Sequence, residues 1–432
     1  MSELLFRARR CVTGGAETEA SVRVRAGAIV AVEPFDADAG AARVITLAAD
    51  EVLLPGLVDT HVHVNEPGRT EWEGFVSATR AAAAGGITTI IDMPLNSLPP
   101  TTDVRALEIK RAVARDRVHV DVGFWGGAVP GNAGELAAMH AAGVFGFKCF
   151  LLDSGVEEFP PLAGTELIEH LRVIGGLGSL LVVHAEDGER ISVVESSPSY
   201  DGFLASRPDA SELGAIETVI AAAAKTGARA HIVHLSTSDA LPSLAGSGVT
   251  VETCPHYLTF AADEVPDGAT EFKCCPPIRG AENRERLWRG LADGVIGVVV
   301  SDHSPCVPEL KTADFGTAWG GVASLQLGLP VVWTGARERG FSLVDVARWM
   351  ASAPADLVGL ARKGRIAAGY DADLTVFAPD EEFTVDRTTL LHRNPVTPYH
   401  GRRLTGVVRS TWLRGVEVSS VPTGLLLERG TA

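Results

Sequence analysis

The sequence predicts an α/β fold, a (β/α)8 TIM barrel flanked by β-rich ends, and three observations support this prediction. Eight short β-rich runs alternate with longer alanine-rich segments from about Leu53 to Asp302. Most of the runs are continuously apolar, as strands buried on both faces of a parallel sheet are. Both ends of the chain instead resemble short strands separated by turns. Eight strand–helix repeats over roughly 250 residues are typical of such a barrel.

The candidate strands and helices follow one another in a regular order. The strand candidates are "VLLPGLVDTHVHV", "ITTIIDM", "VHVDVGF", "VFGFKCFLL", "SLLVVHA", "AHIVHLS", "VTVETCP" and "VIGVVVSD". The helix candidates include "EWEGFVSATRAAAAGG", "TDVRALEIKRAVARD", "SELGAIETVIAAAAKTG" and "ENRERLWRGLADG". Several of them end in glycine, as helix C-termini often do. The connection from Cys254 to Asn283 is long and indicates an elaborated loop.

The two ends of the chain predict additional β structure. Residues 1–52 contain "SVRVRAGAIVAVEP", and residues 365–432 contain "GRIAAGYDADLTVFAP" and "GVVRSTWLRGVEV". The pattern alone leaves open whether these ends pair into one small discontinuous domain. We therefore expect a barrel over residues 53–364, between an N-terminal β segment (1–52) and a C-terminal β segment (365–432).

Composition narrows the possible partners and the compartment. The 432 residues are 46% hydrophobic and 21% charged, which is ample for a large core. The formal net charge of −16 disfavours nucleic acid and anionic membranes, because both are polyanions. "MSELLFRARR" lacks the layout of a secretory signal, and the longest apolar runs are too short to span a bilayer. Six cysteines do not form a disulfide framework, so a cytoplasmic location is expected.

Six potential metal ligands are placed at or near the ends of the predicted strands. In a barrel these ends face one shared mouth, so distant residues converge there. A histidine after an apolar run can also be an ordinary core residue, and Asp302 could instead cap a helix. The set as a whole favours a metal site. Its members are His61 and His63 on the first strand, Lys148 on the fourth, His184 on the fifth, His234 on the sixth and Asp302 on the eighth.

Lys148 is the most informative of the six because "VFGFKCF" buries an amine in an apolar strand. A charged lysine is costly there unless it is paired or reaches a strand end. Burial lowers the pKa of a lysine, and a neutral amine can add CO2. The resulting carbamate is an anionic oxygen ligand that can bridge two cations. The sequence therefore predicts a carbamylated Lys148 (N6-carboxylysine) between two divalent metals.

Other histidines and cysteines lie near the predicted mouth. His256 and His303 are one step off the strand-end pattern, so we expect them beside the ligands or in contact with the substrate. Cys254 and Cys306 could in principle bind a soft metal. A His/Lys/Asp set suits Zn²⁺ best, with Co²⁺, Mn²⁺ or Fe²⁺ as alternatives.

The chain resembles the cyclic amidohydrolases of the amidohydrolase superfamily, and among them the allantoinases. The resemblance spans almost the whole chain and implies a barrel with a small β-sandwich formed by both termini. One metal would then be bound by His61, His63, carbamylated Lys148 and Asp302, and the other by Lys148, His184 and His234. The segments that carry the resemblance are "GLVDTHVHVNEPGRTEWEGF", "AAAAGGITTIIDMPLNSLPPTT", "GFKCF", "ASRP", "CPHYLTF", "KCCPPIR", "VVSDHSPC", "AWGG" and "KGRIAAGYDADL".

The resemblance also implies a reaction and several substrate contacts. Water would attack a ring amide, and Asp302 would take its proton and return it to the leaving nitrogen. For an allantoinase the substrate is allantoin and the product allantoate. The implied substrate contacts are Asn96 through its amide, Cys275 and Gly320 through backbone groups, and Asp153, His256 and His303. Asn96 could equally be a turn residue.

The residues that follow His61 and His63 indicate which ring the substrate carries. Dihydroorotases carry an arginine where this chain has Asn65, so a substrate without a carboxylate is expected, although Arg69 and Arg279 are nearby in sequence. Hydantoinases tend to have a tyrosine shortly after the lysine, where this chain offers Asp153.

Several alternatives stay open at this point. The nearest are a hydantoinase or dihydropyrimidinase and a dihydroorotase-type enzyme. Two less similar alternatives are a mononuclear deaminase of the same superfamily and a non-catalytic scaffold relative. By analogy with relatives we expect a homo-oligomer, a tetramer, with a small-molecule substrate.

Overall fold

The computed structural model describes residues 3–40, 42–194 and 196–430. Parallel strands alternate with helices in the middle of the chain, which confirms the predicted α/β class. A second sheet contains strands from both ends of the chain. The parallel strands with their helices are called the α/β unit below, and the second sheet is called the β-rich sheet.

The strands occur along the whole chain. Their bounds are β1 (Leu4–Thr13), β2 (Ala16–Arg25), β3 (Ala28–Glu33), β4 (Arg43–Thr46), β5 (Val52–Pro55), β6 (Leu57–Val62), β7 (Ile87–Asp92), β8 (Asp121–Phe124), β9 (Gly126–Gly127), β10 (Phe147–Phe150), β11 (Leu180–His184), β12 (Arg229–Ile232), β13 (Thr250–Thr253), β14 (Val298–Val299), β15 (Leu374–Thr384), β16 (Arg403–Leu413) and β17 (Val416–Glu417).

The helices lie mainly between the parallel strands. Their bounds are α1 (Phe75–Ala84), α2 (Val104–Ala114), α3 (Leu136–Ala141), α4 (Gly164–Gly176), α5 (Tyr200–Ser206), α6 (Asp209–Thr226), α7 (Leu241–Leu244), α8 (Pro255–Thr259), α9 (Ala281–Ala292), α10 (Gly328–Glu338), α11 (Leu343–Ala347) and α12 (Ala353–Val358). A π-helical turn, Arg348–Ser352, joins the last two. The 3-10 turns are Ala133–Glu135, Gly188–Arg190, Ser238–Ala240, Ala262–Glu264, Thr270–Phe272, Pro308–Leu310, Leu325–Leu327 and Arg387–Thr389.

The β-rich sheet joins both ends of the chain. Its strand order is β17-β16-β15-β5-β1-β2-β3, and β4 pairs with β1. β5 is central, because it pairs in parallel with β1 and antiparallel with β15. One face is apolar: Phe6 packs edge-on against Trp412, with ring centroids 4.9 Å apart, in a buried cluster that includes Leu374. Burial of this face holds the N-terminal and C-terminal strands together.

The first predicted strand is two strands in two sheets. β5 belongs to the β-rich sheet and β6 to the α/β unit, so the prediction of a single strand across "VLLPGLVDTHVHV" was wrong. The break occurs at Gly56, whose N–H donates to the carbonyl of Asp373 at 2.8 Å. A Cβ at Gly56 would lie 2.3 Å from Oγ1 of Thr88, so only glycine allows this close passage between the sheets.

The parallel strands of the α/β unit follow chain order. One sheet has the order β6-β7-β8, and the other runs β9-β10-β11-β12-β13-β14. Phe145 donates to the carbonyl of Phe124 at 3.0 Å, which links the two sheets between β8 and β10. His63 donates to the carbonyl of His303 at 2.8 Å, which brings the first parallel strand beside residues that follow the last. The carboxyl ends of all these strands therefore lie on the same side.

The helices pack alanine-rich faces on these strands. In α1 the buried residues Phe75, Ala78, Ala81 and Ala82 follow helical spacing. α6 buries a similar face and ends at Gly227, which adopts a left-handed conformation with φ 69° as a helix C-terminus often requires. Within the described residues, no helix combines the length and the apolarity that crossing a bilayer requires.

Candidate active site and metal centre

A cavity of about 430 Å³ opens at the carboxyl ends of the parallel strands. All six predicted metal ligands line it, although they are spread from β6 to the residues after β14. Asn96, Asp153, Cys275 and Gly320 also line it. The cavity therefore collects most of the residues that the sequence singled out. His256 and His303 are absent from its lining, as far as the described residues show.

His61, His63 and Asp302 form the first group of potential ligands. Nε2 of His61 lies 3.1 Å and Nε2 of His63 lies 3.6 Å from Oδ1 of Asp302. One ligand atom from each residue lies within 4.8 Å of the others, and all three side chains are buried. Burial holds the pKa of His63 well below its usual value, and its repulsion from His61 adds to this effect. A neutral imidazole is the form that binds a metal.

Lys148, His184 and His234 form the second group. The rings of His184 and His234 have centroids 4.6 Å apart, and the His234 ring is 5.4 Å from that of His61, which connects the two groups. Nζ of Lys148 lies 4.9 Å from the centroid of the Phe150 ring. Burial lowers the pKa of Lys148 to about 8, so a neutral amine is far more accessible than on a surface lysine.

Two ring nitrogens in these groups have no hydrogen-bond partner among the described residues. They are Nδ1 of His63 and Nδ1 of His234, both fully buried. Buried polar atoms normally have a partner, so orphaned nitrogens in a shared cavity call for a ligand or water. The donor types, four imidazoles with a carboxylate and an amine, fit borderline divalent ions such as Zn²⁺.

Glu252 on β13 orients His61, and the sequence analysis did not identify it. Its Oε1 lies 2.6 Å from Nδ1 of His61, and its Oε2 lies 3.0 Å from Nε2 of His231. Burial alone would raise the pKa of Glu252, but His61 and His231 lower it to about 2. A carboxylate on the far nitrogen of a metal-binding histidine fixes its tautomer and orientation. The sequence signal that could have identified Glu252 was a charged residue inside the apolar run "VTVETCP".

Glu186 orients His184 as Glu252 orients His61. Its Oε2 lies 2.8 Å from Nε2 of His184 and accepts from Nη1 of Arg207 at 2.7 Å. This arrangement leaves Nδ1 of His184 as the nitrogen that can bind a metal. Arg207 belongs to the quoted segment "ASRP" and lines the cavity, but no pattern in the sequence assigns it a role. Each group of ligands thus has its own supporting carboxylate.

The backbone at the strand ends is also fixed. Oδ1 of Asp59 accepts from the His61 N–H at 3.1 Å, and its Oδ2 accepts from the Ser301 N–H at 3.0 Å, which ties β6 to the residues after β14. His234 and Asp302 adopt positive φ angles of 41° and 44°. Non-glycine residues rarely adopt this conformation, and such strain concentrates at functional sites.

The residues predicted to contact the substrate surround the ligands on the open side. Asn96 has a φ of 67°, and its carbonyl accepts from Nη1 of Arg69 at 2.9 Å. Oδ1 of Asp153 accepts from the Gly155 N–H at 3.0 Å within its own loop. The segment around Gly320 is held by Lys311, whose Nζ donates to the carbonyls of Trp319 at 2.8 Å and Gly321 at 2.7 Å.

Asn65, which the sequence analysis used to argue against a carboxylate-bearing ring, is buried beside the cavity. Its Nδ2 donates to the carbonyl of Pro305 at 3.3 Å, and it is not among the described lining residues. Arg69 and Arg279 do not line the cavity either, within the same residues. The cationic residues that line it besides Lys148 are Arg207 and Lys273, and Lys273 donates to the carbonyl of Ala318 at 2.6 Å.

His303 and His256 lie behind the cavity wall. Nε2 of His303 is 3.1 Å from Oε2 of Glu73, and its Nδ1 accepts from the backbone N–H of Ser324 at 3.1 Å. Both nitrogens of His303 are therefore engaged in holding the loops together. His256 is fully buried beside Asp302 and Cys254. A contact of either histidine with the substrate stays a prediction.

Comparisons with known proteins show which family the chain resembles. The amidohydrolase family model matches residues 52–418. An allantoinase from Streptomyces avermitilis is 57% identical over an alignment of 439 positions, which covers 99% of each chain. An allantoinase from Saccharomyces cerevisiae is 47% identical, covering 86% of this chain and 84% of the relative. Among solved structures, the L-hydantoinase (dihydropyrimidinase) from Arthrobacter aurescens has a TM-score of 0.91 at 31% identity, covering 100% of this chain and 98% of its own.

Proposed function

This chain belongs to the amidohydrolase family, and we propose that it hydrolyses the ring amide of allantoin to give allantoate. The observation that carries the proposal is the allantoinase relative that matches 99% of the chain at 57% identity. The cavity supplies the chemistry such a reaction needs, namely six potential metal ligands around a space large enough for a small ring. The chain is therefore a hydrolase acting on a C–N bond of a cyclic amide.

The fold that we propose is a (β/α)8 TIM barrel with a small β-sandwich formed by both termini. The chain-ordered parallel strands and the hydrogen bond from His63 to His303 support closure of the strands into a barrel. The similarity to the Arthrobacter aurescens L-hydantoinase over 98% of that chain supports it further. The position of the cavity, at the carboxyl ends of the strands, is where barrel enzymes carry their active sites.

Two divalent ions fit the donor set. His61, His63 and Asp302 would hold one ion, His184 and His234 would hold the other, and Lys148 would contribute to both. When bound, such a pair lowers the pKa of water and polarises a carbonyl group. Zn²⁺ suits the imidazole-rich set best, and Co²⁺, Mn²⁺ and Fe²⁺ fit the same donors.

Lys148 would serve as a shared ligand after addition of CO2. Its neutral amine would form an N–C bond with CO2 and release one proton, which leaves a carbamate whose single negative charge is shared by two oxygens. The apolar enclosure of the side chain and the lowered pKa of Lys148, about 8, support this step. A free lysine cation would instead repel metals bound at the neighbouring histidines.

Asp302 would transfer the proton during hydrolysis. Its carboxylate lies beside His61 and His63 on the cavity wall, where it can accept a proton from the attacking water. Burial raises the pKa of Asp302, which makes the carboxylate a stronger base. Return of this proton to the ring nitrogen is essential, because an unprotonated amide nitrogen is a poor leaving group.

The substrate ring would lie between the ligand groups and the loops of the mouth. We propose that Asn96 hydrogen-bonds the ring or its ureido group, and that Cys275 and Gly320 contribute backbone groups. Asp153 lines the same space on an exposed loop. Similarity to an L-hydantoinase favours hydantoins or dihydropyrimidines as a second substrate class.

Turnover of a substrate panel tests the proposed function. We expect the purified, metal-loaded protein to hydrolyse allantoin faster than hydantoin, dihydrouracil or dihydroorotate. Chelation should abolish the activity, Zn²⁺ should restore it, and elemental analysis should find two metal ions per chain. Negligible allantoin hydrolysis beside fast hydantoin hydrolysis would contradict the substrate assignment. Full activity after complete metal removal would contradict the metal mechanism.

A cytoplasmic homo-oligomer, a tetramer by analogy with relatives, is the assembly that we propose. The acidic net charge of −16 argues against nucleic acid as a partner. Light scattering of the purified protein measures the oligomeric state directly.

A further inference from the structure

Arg69 contacts several of the loops that form the mouth of the cavity. It belongs to the loop after β6, and within the described residues it does not line the cavity itself. Its Nη1 donates to the carbonyl of Asn96, in the loop after β7, at 2.9 Å. The same nitrogen lies 2.6 Å from Oε1 of Glu158, in the loop after β10. One guanidinium group therefore joins loops that follow three different parallel strands.

Both polar partners of Arg69 are connected to the wall of the cavity. Asn96 itself lines the cavity and has a left-handed backbone, with φ 67°. Glu158 precedes Phe159, whose carbonyl accepts from Oγ of Ser154 at 2.6 Å, and Ser154 lines the cavity. A displacement of Glu158 would therefore move the loop that carries Ser154.

Aromatic contacts extend this arrangement to a further loop. The guanidinium carbon of Arg69 lies 5.4 Å from the centroid of the Trp72 ring, and a cation over an indole is attracted by the ring electrons. Trp72 is buried, and the ring of Trp319 packs edge-on against it with centroids 5.0 Å apart. Trp319 lines the cavity in the segment after β14. Arg69 thus supports Trp319 through Trp72.

The sequence separation of these contacts distinguishes Arg69 from an ordinary surface ion pair. Arg190 and Asp187, 3.0 Å apart, are such a pair, and they hold together residues that are already close in the chain. Arg69 and Glu158 are 89 positions apart, and only 19% and 24% of their side chains are exposed. The contacts of Arg69 therefore fix the distances between separate loops.

We infer that Arg69 is a positioning residue that shapes the binding site for the substituent on the substrate ring. The reacting amide has to lie at the potential metal ligands, so the ureido substituent of allantoin faces the loops that carry Asn96, Ser154 and Trp319. Arg69 holds these loops at a fixed spacing from behind the wall. The identity of the substituent rests on the proposed function, whereas the connection between the loops does not.

Arg69→Met tests the inference through the separate effects on KM and kcat. Methionine keeps an apolar stem and removes both polar contacts. KM for allantoin should rise about fivefold to tenfold, the worth of about one hydrogen bond to the substrate. The kcat of the metal-loaded protein should change less than about twofold, because an interaction made equally in the ground state and the transition state affects KM alone.

Two further variants control this measurement. Arg69→Lys keeps a charged donor and should recover part of the wild-type KM. Arg190→Met removes an exposed ion pair within one loop and should leave KM and kcat unchanged. A purely structural role for Arg69 would reduce the amount of folded, metal-loaded protein and leave KM as it is in wild type. A fall in kcat without a change in KM would therefore overturn the inference.

Hydrogen exchange of the backbone amides gives a readout that does not depend on catalysis. In Arg69→Met we expect faster exchange in residues 95–102 and 153–160, whereas Glu158→Ala should loosen residues 153–160 alone. Unchanged exchange in Arg69→Met would overturn the connection between the loops, and faster exchange with an unchanged KM would overturn its role in substrate binding. Hydrolysis of hydantoin instead of allantoin would contradict the proposed function, and the exchange result would still decide whether Arg69 joins the loops.

Discussion

Lys148 shows how one residue can reveal a site. An amine buried against the Phe150 ring gains nothing from hydrophobic burial, and no ion pair compensates it among the described residues. Its position therefore calls for a chemical explanation rather than a packing one. The carbamate that we propose would provide that explanation, because it would convert a costly buried cation into an anionic ligand.

Replacement of Lys148 by alanine should remove the shared ligand. We expect metal content and kcat/KM for allantoin to fall, the latter at least about a hundredfold, equivalent to about 2.7 kcal/mol. A short carboxylic acid should restore part of the activity, because it can occupy the place of the carbamate. Lys148→Arg is the matched control, since arginine keeps the charge but leaves no room for the acid. Rescue of both variants, or of neither, would contradict a carbamate ligand.

The convergence of the six candidate metal ligands on one cavity could be predicted from sequence because each interrupts or follows an apolar run. Their supporting carboxylates could not, because each is recognised only through its partner in space. Glu252 and His61 are 191 positions apart. Glu186 is only two positions from His184, but its function depends on where the two side chains point. Spacing predicts convergence at a strand end, whereas hydrogen bonds across the α/β unit depend on side-chain directions.

At the scale of elements, several strand ends and loops at the cavity adopt a left-handed backbone. His234 and Asp302 do so two and three residues after the ends of β12 and β14, and Asn96 does so in the loop after β7. Left-handed backbone costs about 1–2 kcal/mol for most residues but less for asparagine. Asn96 therefore stabilises either the turn alone or both the turn and the bound substrate. Mutation can distinguish these two roles.

Asn96→Gly and Asn96→Ala distinguish these roles. Glycine accepts φ 67° and removes the amide, so kcat/KM for allantoin should fall about tenfold with little loss of stability. Alanine should show the same loss of activity and in addition unfold at a lower temperature. Asp116→Gly, at another positive φ remote from the cavity, is the control for the glycine itself. Unchanged kcat/KM in Asn96→Gly would make Asn96 a turn residue only.

The strand runs were predictable because burial on both faces leaves a continuous apolar signature. The signature does not say to which sheet a run belongs, and this is why the pattern predicts one strand where the structure has β5 and β6. Only the close passage at Gly56, where Thr88 leaves no room for a side chain, separates them. The pairing of the two chain ends was likewise outside the reach of the pattern, because it depends on contacts between residues several hundred positions apart.

At the scale of the whole molecule, a buried ionic cluster fastens the α/β unit to the β-rich sheet. Nζ of Lys363 lies 2.8 Å from Asp121, which begins β8, and 2.7 Å from Asp373, which precedes β15. Arg414 adds a contact of 2.6 Å to Asp121. Burial alone would lower the pKa of Lys363, but Asp373 and Asp121 raise it above its usual value. Lys363 is therefore charged and central to the cluster.

Lys363→Met should destabilise the molecule without altering the cavity. Removal of one partner of a buried ion pair costs about 3–5 kcal/mol, because it leaves a buried carboxylate, here that of Asp373, without its counter-ion. Arg403→Met, which removes an exposed ion pair with Glu382, is the control and should cost about 0–1 kcal/mol. Thermal and urea unfolding measure both, and activity per folded molecule should stay constant. Equal losses of unfolding free energy in the two variants would contradict the proposed importance of the cluster.

The central place of β5 in the β-rich sheet also governs how the chain matures during synthesis. β1 and β5 emerge from the ribosome early, whereas β15 and β16 emerge last, and Thr13 is hydrogen-bonded to a residue 353 positions later. Until β15 is synthesised, β5 lacks its antiparallel partner, and its unpaired edge invites aggregation. We therefore expect a nascent chain that stalls before residue 374 to depend on chaperones, even where the parallel strands and their helices have already folded.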